Sequence, residues 1–509
     1  MTKPLASLVA ISLPFLLSAT EIPSGPVSGA WPAAGNPYLV QGDIFVPPGQ
    51  TLQIHPGVQV IFQGHYTLEV SGGAVLEAAG TPGDSVTFTS ADTVAGWGGI
   101  RFDHAGEASR LTYCRLFHGK GDDHTLGGAL RCADSDLHLT HSRLEHNQAG
   151  HGGAVYFRGN ETYRAVIADN SFAHNFANAG LAVHCAGGAE VQFTGNAVFD
   201  HAMETEFLIN GGVVDITGCR SFIAENNLIT HNRELAGDLL YGGGLYVLQS
   251  QGRIVNNLIT SNIFSGLGCS GGICLVASRV EVANNTFAGN SRGITVVGLQ
   301  PRAVTVTNCI IQFNDGPIIN YNPSDPWPVV TYTNLRDVYP GEGNIDADPQ
   351  FVAGYHLAQT AAGQPLQSPC VDAGAPGWPM IPGTTRTDGA QDYGLVDMGY
   401  HYPLPVAAPE GATLAGAEPR SLGDADAVSV SPNPFNPVTV ARFELRDARH
   451  VTLRVYDTAG REVATLVEGW REAGVHEVTF DASALPSGIY FARLSSDGLT
   501  QVQKLILLK

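Results

Sequence analysis

Apolar and polar residues alternate in short runs along this chain, and the runs return at a nearly constant interval. Val86-Thr87-Phe88-Thr89, Val280-Glu281-Val282 and Val304-Thr305-Val306 are typical. Alternation with period two, rich in β-branched residues and broken by Gly and Asn, predicts strands that bury one face. No ten-residue helical stripe interrupts them. Between residues 114 and 317 one motif marks the interval, clearest at Asn227-Leu228-Ile229-Thr230-His231-Asn232, Asn257-Leu258-Ile259-Thr260-Ser261-Asn262 and Asn285-Thr286-Phe287-Ala288-Gly289-Asn290. With the first Asn as register, equivalent positions are Cys114, Ser142, Asn170, Asn196, Asn227, Asn257, Asn285 and Asn308, in steps of 28, 28, 26, 31, 30, 28 and 23 residues. Two positions further on stand Leu116, Leu144, Phe172, Val198, Ile229, Ile259, Phe287 and Ile310. That apolar column predicts a stacked core.

A second mark falls inside each period, as Trp97-Gly98-Gly99-Ile100, Gly127-Gly128-Ala129-Leu130, Gly152-Gly153-Ala154-Val155, Gly242-Gly243-Gly244-Leu245 and Gly271-Gly272-Ile273-Cys274. A repeat of this length belongs to architectures in which each unit buries its apolar face only against its neighbours. Propeller blades are longer than these periods. About three short strands per coil, each pairing with its equivalent one coil away, satisfy the pattern. Asn suits the corners because it tolerates left-handed backbone and bonds locally. Stacked about 4.8 Å apart, Asn170, Asn196, Asn227, Asn257, Asn285 and Asn308 then form an amide ladder. On these residues the chain resembles the right-handed parallel β-helix family, of the pectate-lyase-like superfamily. The fold expected is all-β: a right-handed parallel β-helix of about ten to twelve coils, roughly 50 Å long, followed by a small antiparallel β-sandwich.

The expected organisation is a signal peptide at 1–20, the β-helix at 21–343, its C-terminal cap at 344–402, a linker at 403–427 and the sandwich at 428–509. The peptide is read from Lys3, the apolar run Leu5 to Leu17 and the small residues Ser18-Ala19-Thr20, a run too short to span a bilayer. The cap is read from Asn344-Ile345-Asp346-Ala347-Asp348-Pro349, Ser368-Pro369-Cys370-Val371-Asp372 and Asp397-Met398-Gly399-Tyr400, because an open solenoid end exposes strand edges and core. Alternating strands after Val428, with a hairpin turn at Asp457-Thr458-Ala459-Gly460, give the sandwich. Pro432-Asn433-Pro434-Phe435-Asn436-Pro437, Val455-Tyr456-Asp457 with Gly460, Leu485-Pro486-Ser487-Gly488-Ile489-Tyr490 and the end Lys504 to Lys509 carry a closer resemblance, to the type A sorting domain of the type IX secretion system. That resemblance implies the type IX machinery as partner and the extracellular space or the outer-membrane surface of a two-membrane bacterium as location.

Charge narrows the partners. Net charge is −20, yet residues 428–509 carry nine basic and nine acidic side chains, so the excess lies ahead of them. Such a surface makes nucleic acid and anionic lipid poor partners, and no transmembrane helix is expected in the mature protein. Eight cysteines without CxxC spacing suit an oxidising compartment as disulfides or small core residues, and Cys269 with Cys274 is the nearest local pair.

Chemistry is sparse. A lyase on this fold needs a calcium-holding carboxylate cluster beside a basic residue, and Asp122 and Asp123, with Lys120 and Arg131 nearby, are the compact stretch of those types. Asp134, Asp136, Glu161 and Asp200 do not align as a hydrolase pair. His146, His174 and His231 share one repeat position and either point outward or, as His146 and His174, share a metal ion. Asp346 and Asp348, or Asp388, Asp392 and Asp397, are candidate calcium ligands in the cap; no other cofactor is called for. The expected function is a secreted or cell-surface β-helix, non-catalytic, binding glycan or another surface component along its face. The alternative is a polysaccharide lyase or glycoside hydrolase acting on an acidic polysaccharide.

Overall fold

The computed structural model describes residues 19–404 and 429–507, apart from 122–124, 204–210, 235–241, 265–270, 299–303, 322–325, 338, 432–434, 446–448, 458–461, 472–473, 484, 487 and 497–498. Two compact units result, the larger taking the chain to Phe351 and again over Leu357–Leu404, the smaller taking Val352–His356 with the C-terminal strands.

In the larger unit the chain winds through three parallel sheets of thirteen, twelve and twelve strands, every strand pairing with its equivalents one coil before and after. The larger unit is a β-solenoid of the right-handed type. The first sheet runs from Thr20–Ile22 to Asn334–Leu335, the second from Gly25–Pro26 to Ile318–Asn320 and the third from Gly29–Trp31 to Val329–Thr331. Among the described residues the first strand opens at Thr20, whose backbone N–H donates to Pro37 O. The other residues assigned to the signal peptide, Ala19 apart, lie outside the described residues.

Inward side chains stack in columns. In the first sheet Leu116, Leu144, Phe172, Val198, Ile229, Ile259 and Phe287 pair in that order, all essentially without solvent exposure. The last step departs from expectation, because Phe287 pairs with Ile311 and Ile310 pairs with Thr286. A one-residue slip reverses the face of a strand residue. Ile310 accordingly points out of the barrel, where Leu357, Cys370 and Met398 cover it.

The amide ladder follows the same register. Asn170 donates through Nδ2 to Oδ1 of Asn196 at 3.1 Å, Asn196 to Asn227 at 3.1 Å, Asn227 to Asn257 at 2.8 Å and Asn257 to Asn285 at 2.9 Å. The next member is Cys309 rather than Asn308: its Sγ takes the backbone N–H of Asn285 at 3.5 Å. Asn308 sits one place earlier and donates to Asn284 Oδ1 at 3.3 Å. The ladder asparagines are not themselves left-handed. Positive φ falls on the preceding residues, among them Asp169, Asn226, Asn256, Asn284 and Asn308. A second ladder, five residues on, joins Asn147, Asn175, His201, Asn232, Asn262, Asn290 and Asn314. The two ladders flank each three-residue strand of the first sheet, satisfying buried backbone groups at both corners. The glycine mark precedes the second sheet, where space is the constraint: a Cβ on Gly153 would lie 2.2 Å from the carbonyl oxygen of Leu181 on the next coil.

After Leu335 the chain does not simply plug the end. Ile345 pairs with Asn334, and the chain later turns back along the barrel over the left-handed Asn column. Ala375 N–H donates to Asn308 Oδ1 (2.7 Å), Asn284 Nδ2 donates to Asp397 O (3.1 Å), and His401 exchanges two bonds with the Asn256 side chain (2.7 and 2.9 Å). The segment is a side clasp over successive coils.

The smaller unit is antiparallel. One sheet orders Ser429–Ser431, Val438–Leu445 and Gly474–Asp481, the other Glu462–Arg471, Arg449–Asp457, Gly488–Ser496 and Leu499–Leu507. Phe443, Val451, Leu453, Val455, Phe480, Leu494 and Leu507 belong to its core.

Candidate functional site

Of the lyase-like cluster, only Lys120 and Arg131 are among the described residues. Asp122 and Asp123 lie outside them. Lys120 donates its ammonium to the carbonyl oxygen of Val94 at 2.7 Å, bracing a neighbouring loop. Arg131 belongs elsewhere, on the outer face of the second sheet within Leu130–Ala133.

That outer face holds a line of chemistry that residue type alone conceals. Pairing places Glu69, Arg101, Arg131, Tyr156, His184, Asp215, Tyr246 and Cys274 in one column, one per coil. Exposure falls along it: Glu69 is exposed, Arg101 and Arg131 are half-buried, and Tyr156, Asp215 and Tyr246 retain 8, 2 and 4 %. Cys274 is disulfide-bonded; Cys269 lies outside the described residues. The His184 ring stacks on Tyr156 with centroids 5.3 Å apart and planes 7° apart, and His151 meets its edge at 5.5 Å. Nδ1 of His184 lies 3.2 Å from Oδ2 of Asp215, and among the described residues this buried nitrogen makes no hydrogen bond. Asp215 accepts from the Thr217 hydroxyl at 2.7 Å. Burial holds the His151 pKa below the usual imidazole range, helped by the neighbouring His184. Burial also pushes the Tyr156 phenol up. Both rings are therefore neutral near pH 7, suited to stacking and hydrogen bonding.

The histidine column behaves as an outward corner. His118, His146 and His174 have φ of 60°, 55° and 53°, and their rings stack at 5.5 and 5.2 Å. His231 occupies the same corner with φ 56°. In the clasp, Asp346 accepts from the Asp337 backbone N–H and Asp348 from that of Gln350. Asp388 is engaged by Arg386, whereas Asp392 and Asp397 are buried and bonded to Thr385. Among the described residues no three His, Cys, Asp or Glu side chains gather to hold a metal ion. Asp134 and Asp200 are left-handed corner residues, and Asp136 accepts the Arg164 backbone N–H, so these carboxylates share no column.

Residues 207–336 match the family described as the right-handed β helix region, and residues 429–508 match the secretion system C-terminal sorting domain. The body is a parallel β-helix and the tail a secretion sorting domain. No curated protein and no solved structure matches the chain.

The sorting domain marks the protein for secretion to the cell surface or extracellular space and implies contact with the type IX machinery. Of its motif, Pro432, Asn433, Pro434 and Gly460 lie outside the described residues. Phe435 packs against Phe480 at 5.9 Å, Asn436 is exposed, and the carbonyl of Pro437 accepts from Ala482 at 3.0 Å. Tyr456 and Asp457 pair with Phe491 and Tyr490 in the middle of the four-stranded sheet. Tyr490 is buried, and its hydroxyl donates to Pro486 O at 2.8 Å; Gly488 opens the same strand. Phe435, Pro437 and Tyr490 thus serve the sandwich's own core and turns, with Asn436 left at the surface. No helix among the described residues is long and apolar enough to cross a membrane.

Proposed function

We propose that this is a secreted or surface-held β-helix protein that binds a glycan, without turning it over, along the outer face of its second sheet. One observation carries the reading: on the outer face of the second sheet Glu69, Arg101, Arg131 and His184 keep carboxylate, guanidinium and imidazole groups at least partly open to solvent along one column, at the coil spacing of roughly 4.8 Å, before Asp215 and Tyr246 close it off. A linear polymer meets such a line with a row of polar groups for its hydroxyls. Asp136, Asp346, Asp348, Asp388, Asp392 and Asp397 are engaged in turns and structural bonds, which favours binding over turnover.

The Asp215 and His184 pair favours a second reading, a lyase or hydrolase, because an unbonded imidazole beside a buried carboxylate is a general acid–base arrangement. Incubating the whole protein with a panel of polysaccharides, with and without calcium, distinguishes the two. Retention without new reducing or unsaturated ends, weakened by Arg131→Gln, supports the binder. Turnover lost on Asp215→Asn replaces it with the enzyme.

A further inference from the structure

One turn between the second and third sheets joins Val155–Arg158 to Arg164–Ala168 and holds Asn160-Glu161-Thr162 at its tip. Asparagine followed two places on by serine or threonine is the acceptor pattern for N-linked sugar in an exported chain. With a middle residue other than proline the pattern occurs twice, and the fold separates the two copies. In Asn284-Asn285-Thr286 the first asparagine has no solvent exposure, and its Nδ2 donates to Asp397 O at 3.1 Å. Asn160, Glu161 and Thr162 are all exposed. Local geometry then singles out one atom. Thr162 donates its backbone N–H and its hydroxyl to Oδ1 of Asn160, at 2.9 and 2.7 Å, and Tyr163 N–H closes the turn on Asn160 O at 3.2 Å. Two donors on the amide oxygen draw charge onto it, which makes the protons of Nδ2 easier to lose. No described residue takes up that nitrogen. The next coil passes beside the turn as Gly187-Gly188, where a Cβ on Gly188 would lie 3.6 Å from Glu161 N, so no side chain rises against the amide from that coil.

We propose that Asn160 is a modification site, its Nδ2 carrying an N-linked sugar in the exported protein. The co-reactant is a sugar activated as a phosphate ester at its anomeric carbon. In the transfer Nδ2 bonds to that carbon, the bond from the carbon to the phosphate oxygen breaks, the phosphate leaves with the electron pair, and the amide gives up one proton. Nothing is oxidised or reduced. Exposed turns are also where proteases nick a folded chain, and a bulky hydrated substituent at this one shields it. The inference is independent of what the second sheet binds.

The test takes the full chain as its own host releases it. Trypsin cuts after Arg158 and Arg164, which isolates residues 159–164 as a peptide with one asparagine and one threonine. We expect that peptide to carry the added mass of a hexose or an N-acetylhexosamine, with fragmentation placing the sugar on Asn160. Thr162→Ser, which keeps the hydroxyl, should retain the added mass; Thr162→Ala and Asn160→Gln should lose it. A bare peptide from the unaltered protein, a sugar on Thr162 instead, or a sugar that survives Thr162→Ala overturns the site.

Discussion

Asn257 gives the clearest residue-level account of stability. Its side chain donates to Ala224 O, Val255 O and Asn285 Oδ1, and accepts both the backbone and the side-chain N–H of Asn227. Asn257→Ala strips these bonds and strands buried donors on the coil below. We expect a loss of roughly 3 kcal/mol in chemical denaturation. Cys309 is the converse case. Its sulfur is a weak acceptor in a line of amides, so Cys309→Asn should gain about 1 kcal/mol; a loss would show that the site has no room for the amide. At this residue the pattern of residue types and the strand pairing part company. Matching by residue type took Asn308 for the ladder member, whereas pairing assigns that place to Cys309 and, two positions on, Ile311. The second ladder was visible as the closing Asn of each motif copy, but only one Asn per copy was needed to find the period. The outward column was not visible at all, because Arg, Arg, Tyr, His, Asp and Tyr share no type and only coil register aligns them. Six cysteines are free and buried. Burial raises their thiols, Cys114, Cys219, Cys309 and Cys370 to about 12. A thiol reagent should leave them unmodified in the native protein at pH 8 and label them after denaturation.

Among the elements, the clasp is the one whose stability depends on pH through opposed groups. Desolvation raises Asp397 to about 7, with Asp392 and Asp372 adding repulsion, while hydrogen bonds from Thr385 and Asp372 pull it back. Desolvation lowers His401, against the pull of Asp392 3.8 Å away. A carboxyl that binds its proton more tightly when folded contributes stability that is lost as pH rises from about 4 to 7. A buried imidazole that resists protonation does the reverse, costing stability as pH falls below about 6.5. The two slopes oppose each other in the native clasp. In His401→Gln the clasp should therefore become more stable between pH 7 and 4, and in Asp397→Asn less stable. Hydrogen exchange at the backbone amides of Gly399 and His401 reads both slopes, and equal slopes in the two variants would refute the assignment. The cap was legible as a place in the sequence, but its path was not, since nothing in Asp397-Met398-Gly399-Tyr400 announces that it lies beside Asn284 rather than over the last coil.

For the whole molecule, address and body are separate units, and the experiment follows that division. Deleting 429–509 should leave the solenoid folded, with an unchanged β-sheet spectrum, but retained inside the cell instead of released or displayed; fractionation decides it. Fold class was readable because a solenoid repeats its instructions in every coil. Function was harder to read, since a face used once need not repeat anything.

The clasp also has a bearing on assembly. His401 reaches a partner 145 positions earlier in the chain, passing Asn284 and Asn308 on the way. The fastener can engage only when those coils are already wound and in step. A molecule that skipped a turn would offer its asparagines displaced by a full coil, about 4.8 Å, and would stay unlatched. The final thirty residues of the body thus serve as an inspection of everything wound before them.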